Sequence, residues 1–299
     1  MTQQSQPLIG IFWMLVTGLC FVAVTAIVKY MGPGIPPAQA AFLRYIMGLI
    51  FLLPMIPGLR EIRLTGRQWR LFGLRGFFHA GGVILWFYAM TRIPIAEVTA
   101  MNYLAPVYVT IGAALFLGER LAARRIAAVL MALIGAAIIL RPGFREVELG
   151  HVAMLVAAIV FAGSYLLAKV LADEAKPGVV VAMLSIFVTL GLAPFAAADW
   201  VQPGLTDLGL LFLVACFATA GHYTMTLAFA AAPVTLTQPV TFLQLVWAIL
   251  LGALVFAEPV DVWVLIGGAV ILSSVSFITW REAVLKGRAV TPPAPATKL

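Results

Sequence analysis

The chain has 299 residues, 63% hydrophobic and only 10% charged, with a mean hydropathy of +1.06. A water-soluble domain is about half apolar and about a quarter charged, so a soluble enzyme is excluded; at about 20 apolar residues per membrane-crossing helix, the chain has room for roughly ten spans and little else. The formal net charge of +7 is assigned to loop Lys and Arg that orient a membrane protein, and not to a nucleic-acid partner.

Pro, Gly and charged residues punctuate the sequence into ten apolar segments, and residues 1–7 lack the basic start of a cleaved signal. The first span, 8–29, is therefore expected to be retained, and it offers Trp13 and Thr17. Cys20 in this span and Cys216 in the eighth have no disulfide or metal-ligand spacing. Span two, 37–57, carries Arg44, expected to pair with Glu97 because isolated charge at that depth is costly. In span three, 69–91, Arg75, His79, Gly82 and Trp86 follow spacings of 4, 3 and 4 and so share one helical face. His79 lies near mid-span, and an imidazole there can hold a proton or a substrate carboxylate.

Span four, 95–117, has a second stripe of Thr99, Asn102, Tyr103, Pro106 and Thr110. Pro106 is expected to free the Asn102 carbonyl and kink the helix, as happens where backbone faces a cavity. Span five, 124–140, has Ala128, Ala132 and Ala136 at close-packing intervals; span six, 150–171, adds Ser164 and Tyr165, and span seven covers 178–198. Span eight, 207–230, adds Thr219, His222, Tyr223 and Thr226, and span nine, 234–256, has Gln238, Thr241, Phe242 and Gln244. Span ten, 260–280, carries Gly267 and Gly268, whose default role is close packing, with a homodimer left open beside the expected monomer. The polar, proline-bearing tail, 281–299, reads as disordered.

With the N-terminus inside, the inner connections and tail hold thirteen Lys and Arg and the outer ones hold Lys29, Arg92, Arg141 and Arg145. The excess predicts both termini in the cytoplasm. The chain also repeats itself. A shift of 140 pairs Gly10 with Gly150, Phe21 with Phe161 and Lys29 with Lys169; a shift of 139 pairs Gly82 with Gly221, Pro94 with Pro233 and Glu119 with Glu258. The two glutamates are expected to cap helix starts. Each copy holds five spans, an odd number, so the second must cross the membrane with the opposite orientation. The expected fold is an all-α membrane protein of ten transmembrane helices, as two inverted five-helix repeats, 8–143 and 150–280, around a central cavity. Inverted repeats underlie alternating access in many secondary transporters.

The run from Pro94 through Glu97, Asn102 and Pro106 to Leu117, Gly118, Glu119 and Arg120, followed by Gly135 and Leu140-Arg141-Pro142-Gly143, resembles the EamA domain of the drug/metabolite transporter superfamily, and Phe42-Leu43-Arg44-Tyr45 fits it too. The second copy departs from that pattern where Ala257-Glu258-Pro259 replaces Gly118-Glu119-Arg120. The resemblance implies a multi-pass carrier of small polar metabolites in a bacterial inner membrane, similar in layout to YddG-type amino-acid exporters, and the expected function is export of amino acids or similar small metabolites by alternating access around the central cavity. The residues expected to line its substrate cavity are His79, Trp86, Thr99, Asn102, Tyr103, Tyr165, Tyr223, Gln238, Thr241, Phe242 and Gln244. No nucleotide loop, catalytic elbow or metal motif occurs, so no cofactor and no enzymatic activity are expected; the partners are the solute and the surrounding lipid. A carrier of another metabolite or drug-like cation, a membrane-embedded enzyme and a channel are the alternatives.

Overall fold

A computed structural model of the chain describes residues 6–55, 63–118, 122–172, 174–175, 177–233 and 237–290. Inside a bilayer every backbone donor and acceptor must be satisfied by the chain itself, and these sequences meet that demand with ten helices long and apolar enough to cross a membrane. They are numbered by span: α1 Pro7–Met31, α2 Pro37–Gly48 continued by a 3-10 stretch Leu49–Met55, α3 Gly66–Met90, α4 in two pieces Ile95–Asn102 and Ala105–Phe116, and α5 Ala123–Leu140. The second half has α6 Leu149–Ala172, α7 Pro177–Ala198, α8 Leu205–Ala231, α9 Phe242–Phe256 preceded by a 3-10 stretch Gln238–Thr241, and α10 Val262–Val290.

Local chemistry sets the starts and breaks. Pro7 and Pro37 occupy first turns, where a missing N–H costs nothing. Thr65 and Gln68 close a reciprocal capping box at the start of α3. Pro106 falls in the first turn of the second piece of α4, and Tyr103 and Leu104 bridge the break with tight turns to Ala100 and Met101. The helix thus stops and restarts where the kink was expected. Beyond Trp280, α10 continues to Val290, where the sequence read as disordered. Glu282, Ala283, Leu285 and Lys286 are good helix formers, and proline arrives only at 292. The tail beyond 290 lies outside the described residues.

The packing follows the repeat. α1 lies on α8 as α6 lies on α3; α2 meets α8 as α7 meets α3; α1 meets α9 as α6 meets the second piece of α4. The pairs α2 with α7, α4 with α9 and α5 with α10 map onto themselves under the same exchange. Individual contacts obey it as well. A Cβ on Gly82 would lie 2.7 Å from the Phe161 ring, and one on the equivalent Gly221 would lie 3.3 Å from Phe21. Gly135 of α5 and Gly267 of α10 approach each other reciprocally through their backbones. The small residues of spans five and ten are thus used for packing within the chain.

At the end of the bundle that carries Lys29, ion pairs tie the halves together. Lys29 pairs with Glu258 and donates to the Ile93 carbonyl at 2.8 Å, and Glu258 accepts from the Ile95 N–H at 3.0 Å. Glu258 therefore caps α4, in the other half, and not the helix that follows it. Its partner in the repeat, Glu119, lies outside the described residues. Arg141 pairs with Asp261 at the same end. At the opposite end Arg67 pairs with Glu174, whose backbone carbonyl accepts from Gln68 at 3.0 Å.

Candidate functional site

Midway along the bundle, α2, α3, α6 and α8 bring a polar and aromatic cluster together. His79 is buried against α6, its Nδ1 3.2 Å from the Ser164 hydroxyl. Its ring meets Phe161 edge-on at 5.0 Å and Tyr45 and Tyr165 at 6.4 Å each. Phe161 and Tyr165 stack on one another. Tyr165 is 44% exposed although it stands beside the buried Ser164 and His79, so the cluster borders an opening and is not a packed core. His222 of α8 is likewise exposed, edge-on to Phe21 at 5.2 Å. The Arg44 guanidinium lies 4.2 Å over the Tyr45 ring, a cation–π contact.

A second group forms where α4 and α9 are broken, at positions equivalent in the two halves. The Tyr103 hydroxyl donates to the Thr241 carbonyl at 2.8 Å, bridging the two interruptions. Asn102 is the last residue before the α4 break and Phe242 the first of α9. Gln244 lies against Gly18 of α1. Trp86, Tyr103 and Phe242 pack against the central apolar core. Discontinuous helices at matching positions of inverted repeats are where transporters place polar backbone at the membrane midplane.

Several expectations resolve differently. Arg44 does not meet Glu97. Arg145 grips both Glu97 oxygens, at 2.9 and 2.8 Å, and the fully buried His151 approaches Oε2 at 2.5 Å. The bonds to Glu97 hold the Arg145 guanidinium above its ordinary protonation range. Thr99 donates its hydroxyl to the Ile95 carbonyl one turn back, and Thr110 does the same with Pro106. Tyr223 is 65% exposed on the side of α8 opposite its buried stripe, and its neighbour His222 faces the cluster instead. The Gln238 side chain lies outside the described residues. His222, offered by span eight beside Tyr223, completes the cluster with Tyr45 and Phe161, which were absent from the expected set. A shared face with His79 could have flagged none of them, because they come from three other helices. No group of three or more His, Cys, Asp or Glu that could hold a metal occurs among the described residues.

Comparison with known proteins places this geometry. The chain is 32% identical to a riboflavin transporter of Vibrio cholerae, over 94% of this chain and 96% of that protein. It is 26% identical to an S-adenosylmethionine uptake transporter of Rickettsia bellii (92% and 94%) and 26% identical to a pseudopaline exporter of Pseudomonas aeruginosa (88% and 93%). A solved structure 19% identical in sequence superposes with a TM-score of 0.59, covering 95% of this chain and 98% of that one, and so shares the fold. The pattern of the EamA-like transporter family matches residues 8–141 and again 148–280, and the chain belongs to that family of the drug/metabolite transporter superfamily, a membrane transporter and not an enzyme.

Proposed function

We propose that this protein is a bacterial inner-membrane carrier for a small metabolite with a planar heteroaromatic ring, working by alternating access. Both termini face the cytoplasm, and residues 8–143 and 150–280 are the two moving halves. The observation that carries the reading is the mid-span opening edged by the rings of Tyr45, His79, Phe161 and Tyr165. Rings at edge and stacking distances favour a flat π-system at about 0.5–1.5 kcal/mol per pair beyond area burial. Relatives spanning nearly the whole chain that carry the name riboflavin transporter support a solute of this kind. In this reading Asn102, Tyr103, Thr241, Phe242 and Gln244 form the hinge side of the cavity, where the broken helices meet.

Proteoliposomes containing the purified chain test it. Saturable flux of labelled riboflavin is expected, with KM raised about fivefold to tenfold in Tyr165→Ala, the cost of about one ring contact. Absence of saturable flux for any flavin-type compound sinks the reading. A second reading is outward transport of an aromatic amino acid, favoured by the Arg44 guanidinium beside the Tyr45 ring; saturable flux of tryptophan or tyrosine without flux of riboflavin selects it.

A further inference from the structure

Two guanidinium groups lie inside the bundle, and neither meets a carboxylate among the described residues. Of the acidic residues among the described ones, Glu97 and Asp207 fall inside membrane-crossing spans, each in the first turn of its helix. Glu97 is held by Arg145 and His151, and Asp207 accepts from the Gly204 N–H at the start of its own helix. Arg44 is 7% exposed, and its buried Nη1 has no hydrogen-bond partner among the described residues. Arg75 is also 7% exposed; one nitrogen donates to the Val180 carbonyl at 2.9 Å, and its buried Nε has no partner.

Charge inside a membrane protein is retained where it is paired or where it faces a water-filled path. A guanidinium presents a planar fork of donors that matches carboxylate and phosphate oxygens. The Arg44 guanidinium lies over the Tyr45 ring, which meets His79 edge-on, and Arg75 precedes His79 by one turn of α3, so both stand beside the ring cluster described above. We infer that Arg44 and Arg75 form an anion subsite of the transport cavity, which takes a carboxylate or phosphate group carried by the substrate beside its ring. The inference rests on the carrier reading and adds a charge requirement to it.

Calorimetry on the purified full-length chain with two matched pairs of probes tests the subsite: riboflavin 5′-phosphate against riboflavin, and benzoate against benzamide. The anionic member is expected to bind at least tenfold more tightly in one pair or both, and the pair that responds tells phosphate from carboxylate. The ratio should fall toward one in Arg44→Gln and Arg75→Gln and survive in part in the lysine variants. Ratios near one for both pairs in the wild type, or unchanged in both glutamine variants, overturn the inference; the wild-type ratios decide if the variants do not fold. Riboflavin bound without any preference for charge leaves the flavin reading standing and removes the subsite. Benzoate favoured over benzamide with neither flavin bound does the reverse, and no binding of any probe overturns both.

Discussion

Glu97 shows how far a single buried carboxylate can be satisfied by residues distant in sequence. Its two oxygens accept from Arg145, 48 positions on, and His151, 54 positions on. Sequence depth alone pointed to Arg44, since both were charges near one end of the bundle; it could not show that the turn after α5 folds back over α4. Removing one partner of such a buried network costs about 3–5 kcal/mol. Glu97→Gln is therefore expected to lower the thermal midpoint of the detergent-solubilised protein by several degrees, and an unchanged midpoint would count against a structural role. Ala257 offers the opposite case. It ends α9 in the left-handed region at φ 52°, where the equivalent Gly118 sits at φ 71°. A side chain there costs about 1–2 kcal/mol, partly offset by the greater freedom of glycine in the unfolded chain. Ala257→Gly should raise stability by about 0.5–1 kcal/mol, read from the same thermal unfolding. This second site was legible in the sequence, where Ala257-Glu258-Pro259 replaces Gly118-Glu119-Arg120 in the repeat.

At the scale of helices, the spans and the α4 break could be read in advance because apolar length and proline are local signals. Which face of each helix turned inward could not. Adjacent residues on a helix differ by 100°, so the choice between His222 and Tyr223 is made by the packing of α8 on α1 and α2, not by its own periodicity. The close approaches of Gly82 to Phe161 and of Gly221 to Phe21 make this packing testable. Gly82→Ala would press a methyl group into the ring that borders His79, whereas the 3.3 Å clearance at Gly221 needs only a slight shift. Overpacking of the first kind costs about 1–3 kcal/mol. Gly82→Ala is thus expected to reduce both stability and flux, and Gly221→Ala to do so less; equal effects would show that Phe161 moves as freely as Phe21. The Tyr103 bridge to Thr241 predicts a smaller loss. Tyr103→Phe should cost about 0.6 kcal/mol, the typical worth of one interhelical bond in a membrane, and leave a folded protein whose flux reports what that link contributes.

For the whole molecule, the repeat makes a prediction that neither half makes alone. Lys29 and Glu258 close one end of the bundle by tying α1 to the connection after α9, with Ile93 and Ile95 held between them. Lys169, the equivalent of Lys29, lies in the last turn of α6, at the other end of the bundle. If the carrier exchanges two conformations related by the pseudo-two-fold axis, loosening one end should favour the state open there, and loosening its equivalent should favour the opposite state. A differential of about 1.4 kcal/mol moves such an equilibrium tenfold. The measurement is the rate at which a membrane-impermeant maleimide labels a single cysteine at Ile93, fully buried in this structure, in a background with Cys20 and Cys216 replaced. Lys29→Met should accelerate labelling from the outer face and Lys169→Met should slow it. A charge swap, Lys29→Glu with Glu258→Lys, should bring the rate back toward wild type. Two lysine variants that shift the rate in the same direction would show that the halves do not exchange roles, and alternating access by symmetry would have to be given up.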